Sequence, residues 1–197
     1  HENSRFFRRR NTRNKSSLVI DNLESKLKFH QLLFAHKIGD FWLLDISSSL
    51  GKNSNSSENF ISRNYQLENT SFNPKISYLY NDHSSLNILY EYKTKENKIG
   101  NLESLTSHKI GASYRTSNKK NFTLQSEFNF FINDFIGNQN SPVAYQILEG
   151  LQNGDNFTWS LLWQQKLTQY LDLNFNYLGR KSEASRTVHT GTIIIEH

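Results

Sequence analysis

The chain has no cysteine, no methionine and only two prolines among its 197 residues. Without cysteine it has no disulfide framework, no thiol nucleophile and no cysteine-ligated zinc or iron–sulfur site. With no methionine and with histidine as its first residue, we expect a processed form or a segment of a longer polypeptide. No apolar stretch approaches the roughly 18 residues that a membrane-spanning helix needs, which excludes insertion as helices.

The composition is polar but rich in aromatic side chains. Hydrophobic residues make up 36% of the chain and the mean hydropathy is -0.68, which by itself is typical of a soluble protein. The aromatic share of 13% is high for so polar a sequence and argues against disorder. The length suits one domain with a core of its own.

Alternation of apolar and polar residues is the main pattern. In residues 157–164 the odd positions are large and apolar, and Leu171, Leu173, Phe175 and Tyr177 continue the pattern after a break of two or three residues. Period two places one set of side chains on each face of a strand, so these two runs predict an antiparallel hairpin. Similar runs lie at 19–33, 42–47, 75–80, 86–93, 109–115 and 122–133, with a less regular one at 188–195. The sequence thus predicts about nine strands and no helix beyond a turn near 145–151.

The links between these runs alternate in length. Short polar turns are predicted at 35–40, 82–85, 117–121 and 168–169. Longer links are predicted at 51–73, 95–103, 134–155 and 179–186. A soluble sandwich with Greek-key crossovers has no reason to keep this order, whereas an up-and-down barrel of an outer membrane has short turns on one side and long loops on the other.

Two environments are compatible with the apolar face. In a soluble antiparallel fold it forms the core, and in a membrane barrel it meets lipid while the polar face lines the lumen. Trp and Tyr near both ends of the runs favour the membrane, because such rings gather at both interfaces. The predicted lipid-facing residues are Trp42, Leu44, Tyr80, Tyr92, Phe128, Phe130, Trp159, Leu161, Leu173, Phe175 and Tyr177. The predicted lumen-facing residues are Lys75, Glu91, Lys93, Arg115, Glu127 and Asp172.

The fold class predicted is therefore all-β: an antiparallel up-and-down transmembrane β-barrel, or one segment of a larger barrel. Residues 18–197 supply its strands, with the longest loops at 51–73 and 134–155. Residues 1–17 form a basic segment that is either a loop or a partial strand. An open edge is not viable in hydrocarbon, so a tenth strand from this segment or another stretch of chain has to close the sheet.

A resemblance appears in the last quarter of the chain. The stretches Ala-Tyr-Gln-Ile-Leu-Glu-Gly-Leu from Ala144, Leu-Asp-Leu-Asn-Phe-Asn-Tyr-Leu-Gly-Arg-Lys-Ser from Leu171 and Thr-Val-His-Thr-Gly from Thr187 resemble the C-terminal barrel of large outer-membrane or surface proteins of Bacteroidota. The resemblance carries no catalytic motif. It implies a Gram-negative envelope, with outer-membrane lipid and other envelope proteins, or the rest of a longer chain, as partners. The chain departs from the pattern by ending on Glu196-His197 instead of an aromatic residue.

The basic run at the start of the chain is the densest group of charges. We favour a solvated loop or lumen-facing charges over a site for lipopolysaccharide phosphate, and basic and aromatic residues are too little interleaved to predict nucleic-acid binding. The run consists of Arg5, Arg8, Arg9, Arg10, Arg13 and Lys15.

No motif predicts a catalytic, cofactor or metal site. The seven histidines form no HxH or HExxH pair, and there is no phosphate-binding glycine motif. Ser182, Ser185 and His189, with Glu183, lie near one another in the sequence and are the candidate residues for a hydrolase at the rim. We predict a non-enzymatic outer-membrane protein that acts as a pore, a surface scaffold or a subunit of an envelope transport or assembly complex. The alternatives are a soluble all-β surface binding module and an outer-membrane hydrolase.

Overall fold

The fold is one antiparallel meander. A computed structural model describes residues 4–18, 21–100, 103–118, 121–168, 170–183 and 185–196. Ten strands pair in chain order from β1 to β10, and no ladder joins β1 to β10 within these ranges. The strands are β1 (Ser4–Leu18), β2 (Asp21–Ile38), β3 (Trp42–Ser57), β4 (Tyr65–Asn81), β5 (Ser84–Asn97), β6 (Ser104–Asn118), β7 (Phe122–Ile136), β8 (Gly154–Thr168), β9 (Leu171–Ser182) and β10 (Val188–Glu196). In this part of the chain, no helix is long and apolar enough to span a membrane.

The short and long links fall at opposite ends of the strands. At one end, residues 39–41 join β2 to β3 and residues 82–83 join β4 to β5. At the other end, residues 58–64, 98–103 and 137–153 make longer links, the first with a 3-10 helix at Ile61–Arg63. We call these the short-link end and the long-link end.

The predicted loop at 51–73 is wrong, because most of it is strand. Residues 51–57 complete β3, residues 65–73 begin β4, and only residues 58–64 connect them. The run is rich in Ser and Asn, which favour loops in general. In this sheet such residues pair across strands instead, as in the 2.7 Å hydrogen bond between the Ser49 and Ser71 hydroxyls. The second predicted loop, 134–155, is somewhat shorter, because β7 extends to Ile136 and β8 begins at Gly154.

A short helix, α1 (Pro142–Leu148), lies in the β7–β8 link. The sequence predicted no helix and at most a turn slightly later in the chain. The local signals for α1 are Ser141, whose hydroxyl accepts a hydrogen bond from the Ala144 N–H at 3.0 Å, and Pro142 in the first turn. At seven residues it is too short to show a hydrophobic period, so its stability comes from packing.

The register sorts the side chains onto two faces. Leu44, Ile76, Ile88, Ala112 and Phe128 are successive partners across β3 to β7 and define the apolar face. The row beside it begins with Asp45 and Lys75 and continues through Leu89, Gly111 and Asn129, and it belongs to the polar face. The strands β3 to β9 therefore each have an apolar side and a side rich in Ser, Asn and charged residues. β2 is an exception, because Leu27, Phe29 and Leu33 pair with Asn53, Gly51 and Ser47 and so lie on the polar face.

No second layer covers the apolar face within the described ranges. Ile88 is 51% exposed, Ile110 57% and Phe128 49%, although all three lie in the middle of the sheet. In a soluble sandwich these positions would form the core. Here the buried hydrophobic cluster lies on the other side, where α1 meets the polar face.

Candidate functional site

The β7–β8 link folds back onto the polar face. Four residues of α1, Val143, Ala144, Ile147 and Leu148, are buried. They pack against three apolar residues that stand on the polar face near the long-link end: Leu67, Leu105 and Phe135. The sequence places an apolar patch there on β4, β6 and β7, and a matching apolar helix covers it.

Lys95 holds the C-terminal end of α1 to β5. Its Nζ donates to the carbonyl oxygen of Ile147 at 2.8 Å and to Oε1 of Glu149 at 2.6 Å. The Lys93 Nζ lies 3.6 Å from Oε2 of the same carboxylate. A cation at this end of a helix is favourable, because the last carbonyl groups have no partner within the helix.

Burial and charge act in opposite directions on this pair. Lys95 is 6% exposed, and burial lowers its pKa although Glu149 counteracts the effect. For Glu149, burial raises the pKa, but the hydrogen bond and charge of Lys95, together with Lys93, outweigh it and leave the pKa below its ordinary value. The contact thus favours the ionised form of Glu149, whereas burial opposes the charge on Lys95.

Asn156 holds the other end of the link. Its side chain is fully buried; Oδ1 accepts from the Gln152 N–H at 3.0 Å, and Nδ2 donates to the carbonyls of Gln152 and Gly154. The Ser182 hydroxyl also donates to Oδ1. One amide therefore satisfies the backbone groups where the link enters β8, which makes this part of the link an ordered turn.

Glu103 secures the beginning of the link. This carboxylate is 2% exposed, accepts from Asn97 Nδ2 at 2.7 Å and from the Ser141 hydroxyl at 3.4 Å. Gly137 adopts a φ of 137°, and a Cβ there would lie 2.7 Å from Cγ of Glu103. The close approach explains why glycine occupies the exit of β7.

Charges of both signs alternate across the middle of the polar face. The Lys75 Nζ lies 2.8 Å from Oδ2 of Asp45, the Lys93 Nζ 3.0 Å from Oε1 of Glu91, and the Lys109 Nζ 4.0 Å from Oε1 of Glu127. A hollow of about 430 Å³ lies beside the ion pair of Asp45 and Lys75. Its charged lining residues are Asp45, Lys75, Glu91 and Lys109.

The register places every predicted lumen-facing residue on the polar face, and every predicted lipid-facing residue on the apolar face. Lys75, Glu91, Lys93, Arg115, Glu127 and Asp172 share the first face. Trp42, Leu44, Tyr80, Tyr92, Phe128, Phe130, Trp159, Leu161, Leu173, Phe175 and Tyr177 share the second.

Aromatic rings mark both edges of the apolar face. At the short-link end, the rings of Trp42 and Tyr78 lie 4.8 Å apart. At the long-link end, Tyr90 and His108 are hydrogen-bonded at 2.7 Å, and Tyr177 and His189 repeat the same pair. The sequence showed the Trp and Tyr residues of these edges but not their pairing with histidine.

The candidate hydrolase residues are not assembled. Ser182 lies on the polar face against Asn156, whereas His189 lies on the apolar face and bonds to Tyr177. Ser185 lies in the β9–β10 link, where its N–H bonds to the Ser182 carbonyl. Among the described residues no three His, Asp or Glu side chains are placed to hold a metal ion.

The basic segment belongs to a strand. Ser4–Leu18 form β1, which pairs with β2 along its whole length. Arg10 is exposed. The side chains of Arg5, Arg8, Arg9, Arg13 and Lys15 lie outside the described part of the structure.

The described strands form an antiparallel up-and-down sheet with one polar face and one apolar face that no other described element covers. No protein-family model and no curated protein matches the chain. Solved structures of outer-membrane barrels do. OmpTdeltaL8, a loop L8 deletion mutant of the outer membrane protein OmpT of Vibrio cholerae, has a TM-score of 0.54 at 10% identity over 92% of this chain and 60% of that one.

Other forms of that protein give the same result. Outer-membrane expressed OmpT of Vibrio cholerae has a TM-score of 0.51 at 9% identity, covering 85% of this chain and 52% of that one. OmpT folded in vitro, in its trimer form, has a TM-score of 0.51 at 11% identity over 92% of this chain and 59% of that one. The chain thus spans about half to three fifths of these structures, and the likeness confirms the predicted fold class.

Proposed function

We propose that the chain forms part of the wall of an outer-membrane β-barrel. Its apolar face is then toward lipid and its polar face toward an aqueous interior. It acts there as a pore or scaffold without enzymatic chemistry. The observation that carries the proposal is the uncovered apolar face: its mid-sheet residues Ile88, Ile110 and Phe128 are about half exposed. A contiguous apolar surface of this kind is unfavourable in water and favourable against acyl chains.

The height of the apolar face supports this environment. On β4 it runs from Phe72 to Tyr80, about 26 Å along the strand at about 3.3 Å per residue. At the tilt of about 40° that is typical of such barrels, this corresponds to a height of about 20 Å, near the apolar band of about 25 Å that they present to the bilayer. The strands are longer than the band, so their ends at the long-link side extend beyond it.

The aromatic rings at both edges support the same orientation. Rings with an apolar body and a polar tip are stable at the membrane interface, and Trp42, Tyr78 and Tyr80 lie at one edge while Tyr90, Tyr92 and Tyr177 lie at the other. In outer-membrane barrels the long links face outside and the short turns face the periplasm. We therefore assign the β7–β8 link to the outer side.

The inward-folded β7–β8 link narrows the interior in this arrangement. It covers the polar face at the level of Leu67, Leu105 and Phe135, while the charged groups near Asp45 and Lys75 stay accessible. A solute that crosses the interior would therefore have to pass α1. The outer edges of β1 and β10, which no ladder joins within the described ranges, need partners in hydrocarbon, and further strands of a larger barrel are the simplest source. A Bacteroidota origin and other envelope proteins as partners stay predictions from the sequence resemblance.

Adjacent residues on β5 provide a direct test. The chain has no cysteine, so Asn87→Cys on the polar face and Ile88→Cys on the apolar face introduce single reactive thiols. In phosphatidylcholine vesicles carrying the folded full chain, a charged water-soluble maleimide should label Asn87→Cys and leave Ile88→Cys unmodified. A soluble surface module predicts that the chain stays in solution without detergent and that Ile88→Cys is labelled as readily as Asn87→Cys.

A further inference from the structure

The net positive charge of the chain is confined to its first three strands. Residues 1–57 contain ten Lys and Arg against five Asp and Glu, whereas residues 58–197 contain thirteen of each. β1 alone carries six basic residues and no acidic one, and its Arg9 pairs in register with His30 of β2. The edge of the sheet that β1 to β3 form is therefore suited to an anionic partner.

A hollow on the apolar face of β2 to β4 lies within this basic region. Its volume is about 290 Å³, and it is lined by Lys28, His30, Leu50, Lys52 and Glu68. Because these five residues occupy the register positions of the apolar face, the hollow opens on the side that the proposed function assigns to lipid. We call it the Lys28–Lys52 hollow.

Two lysines face each other across the hollow. Lys28 and Lys52 are direct partners in the β2–β3 ladder. Like charges in directly opposite positions destabilise a sheet unless another group compensates them. Lys52 bonds to Oε1 of Glu68 at 2.6 Å, but Lys28 has no ion-pair partner within the described ranges. Glu68 is also shared with Lys98, whose Nζ lies 3.7 Å from Oε2. Lys98 also pairs with Glu96, so the three lysines Lys28, Lys52 and Lys98 have two carboxylates between them.

The hollow lies at the margin of the apolar band that is nearer the long-link end. Leu50 is part of its lining, and Leu32 follows on β2 toward the short-link end; both are 58% exposed. Toward the long-link end the same face carries Lys26 and Glu24, which pair at 3.1 Å. A ligand that fits must therefore place an anionic group toward the long-link end and an apolar part toward the short-link end.

We propose that the Lys28–Lys52 hollow binds the phosphate group of a membrane lipid, with its acyl chain along Leu50 and Leu32. The proposal rests on the proposed function, because the apolar face has to meet the bilayer for a lipid to reach the hollow. Lys28 supplies a cation that pairs with no carboxylate in the described part of the chain, and Lys52 exchanges part of its contact with Glu68 for the phosphate oxygens.

The test compares two lipids around the folded full chain in phosphatidylcholine vesicles. Spin-labelled phosphatidic acid, a phosphomonoester lipid, and spin-labelled phosphatidylcholine each report the fraction held at the protein surface by their electron paramagnetic resonance spectra. For the unchanged chain we expect selectivity for phosphatidic acid. A basic residue near an anionic lipid is worth about fivefold in affinity, so Lys28→Gln with Lys52→Gln should reduce selectivity several-fold.

Two further variants separate the hollow from general charge. Lys181→Gln with Arg186→Gln removes the same charge from the long-link end near β9 and β10, and should leave selectivity unchanged. Glu68→Gln removes the competing carboxylate and should raise it. Unchanged selectivity in the Lys28→Gln, Lys52→Gln chain would overturn the proposal.

The remaining outcomes distinguish a lipid phosphate from free phosphate, and failure of the proposed lipid site from failure of the proposed barrel function. Selectivity that survives millimolar inorganic phosphate identifies a lipid headgroup as the ligand, whereas its abolition shows a site for free phosphate and contradicts the proposal. Equal retention of both spin-labelled lipids by the unchanged chain overturns the hollow alone. If neither lipid is retained at the protein surface, the proposed barrel function fails as well.

Discussion

The indole ring of Trp159 lies directly over Gly179, its register partner on β9. A Cβ on Gly179 would lie 2.1 Å from Cε2 of the ring, so the position is closed to any side chain. An aromatic ring that covers a cross-strand glycine fills the gap in the sheet surface and fixes the pairing of the two strands.

We expect Gly179→Ala to destabilise the fold by about 1–3 kcal/mol, the usual cost of an overpacked site. Urea unfolding of the refolded chain in detergent micelles, followed by Trp fluorescence, measures the change. Gly191→Ala is the matched control on the neighbouring strand, because nothing lies within 4 Å of a Cβ there. Equal losses in the two variants would show that the ring does not determine the cost.

Asn156→Ala should loosen the point where the β7–β8 link enters β8. The variant removes a fully buried side chain and leaves the Gln152 N–H and two carbonyl groups, which are part-buried, without their partner. Unsatisfied buried groups of this kind cost about 1–3 kcal/mol each at most, and water entry reduces the total. Hydrogen exchange at Gln152 reports the loss, and Asn176→Ala, an exposed asparagine of β9, should not change it.

Glu149→Gln should weaken the attachment of α1. Lys95 is 6% exposed and would lose the carboxylate that accepts from it at 2.6 Å, which leaves a buried cation without its counter-ion. Because Glu149 itself is half-exposed, we expect a loss of about 1–3 kcal/mol, below that of a fully buried pair. Hydrogen exchange across α1 measures it.

Two variants test the explanation for that loss. Glu96→Gln removes a carboxylate from an exposed ion pair with Lys98 and should have little effect on α1. Lys95→Met removes the buried charge as well as the pair, so it should cost less than Glu149→Gln. The opposite order would mean that Lys95 acts through packing and not through its charge.

Acid should release α1. The folded-state pKa of Glu149 lies below its ordinary value of 4.5, chiefly through Lys95, so the ionised carboxylate stabilises the folded link. This contribution is fully present above the ordinary pKa and is lost as pH falls through the lower folded-state value. Protection of α1 in hydrogen exchange, corrected for the intrinsic rate, should be constant from about pH 8 to 5 and fall below about pH 4.5. In Glu149→Gln this fall should be absent.

Much of the sheet was predictable because a strand has a period of two. Asn87 and Ile88 are neighbours on β5, and their alternation alone assigns them to opposite faces whatever the sheet packs against. The same rule failed at residues 51–73, because at residues 52–55 polar residues occupy both faces: Asn53 and Asn55 lie on the polar face, and Lys52 and Ser54 on the apolar face. Composition indicated a loop there, and only pairing with β2 and β5 shows that those residues are strand.

The candidate site depends on contacts between distant parts of the chain. Lys95 and Glu149 are 54 positions apart, and nothing near either residue predicts their hydrogen bond. Conversely, Ser182 and His189 are close in sequence, but one lies on the polar face of β9 and the other on the apolar face of β10. Proximity along the chain therefore suggested a catalytic group that strand geometry keeps apart.

By itself the sequence determined the antiparallel meander, the division of most strands into an apolar and a polar face, and the aromatic edges, because these follow from alternation and from links that are local. The tertiary structure decided that β1 is a tenth strand, that the β7–β8 link folds onto the polar face, and that Lys28 meets Lys52 on the apolar face. Each of these depends on register between strands, and register is set by the whole ladder of hydrogen bonds and by side chains that come together only when the sheet forms.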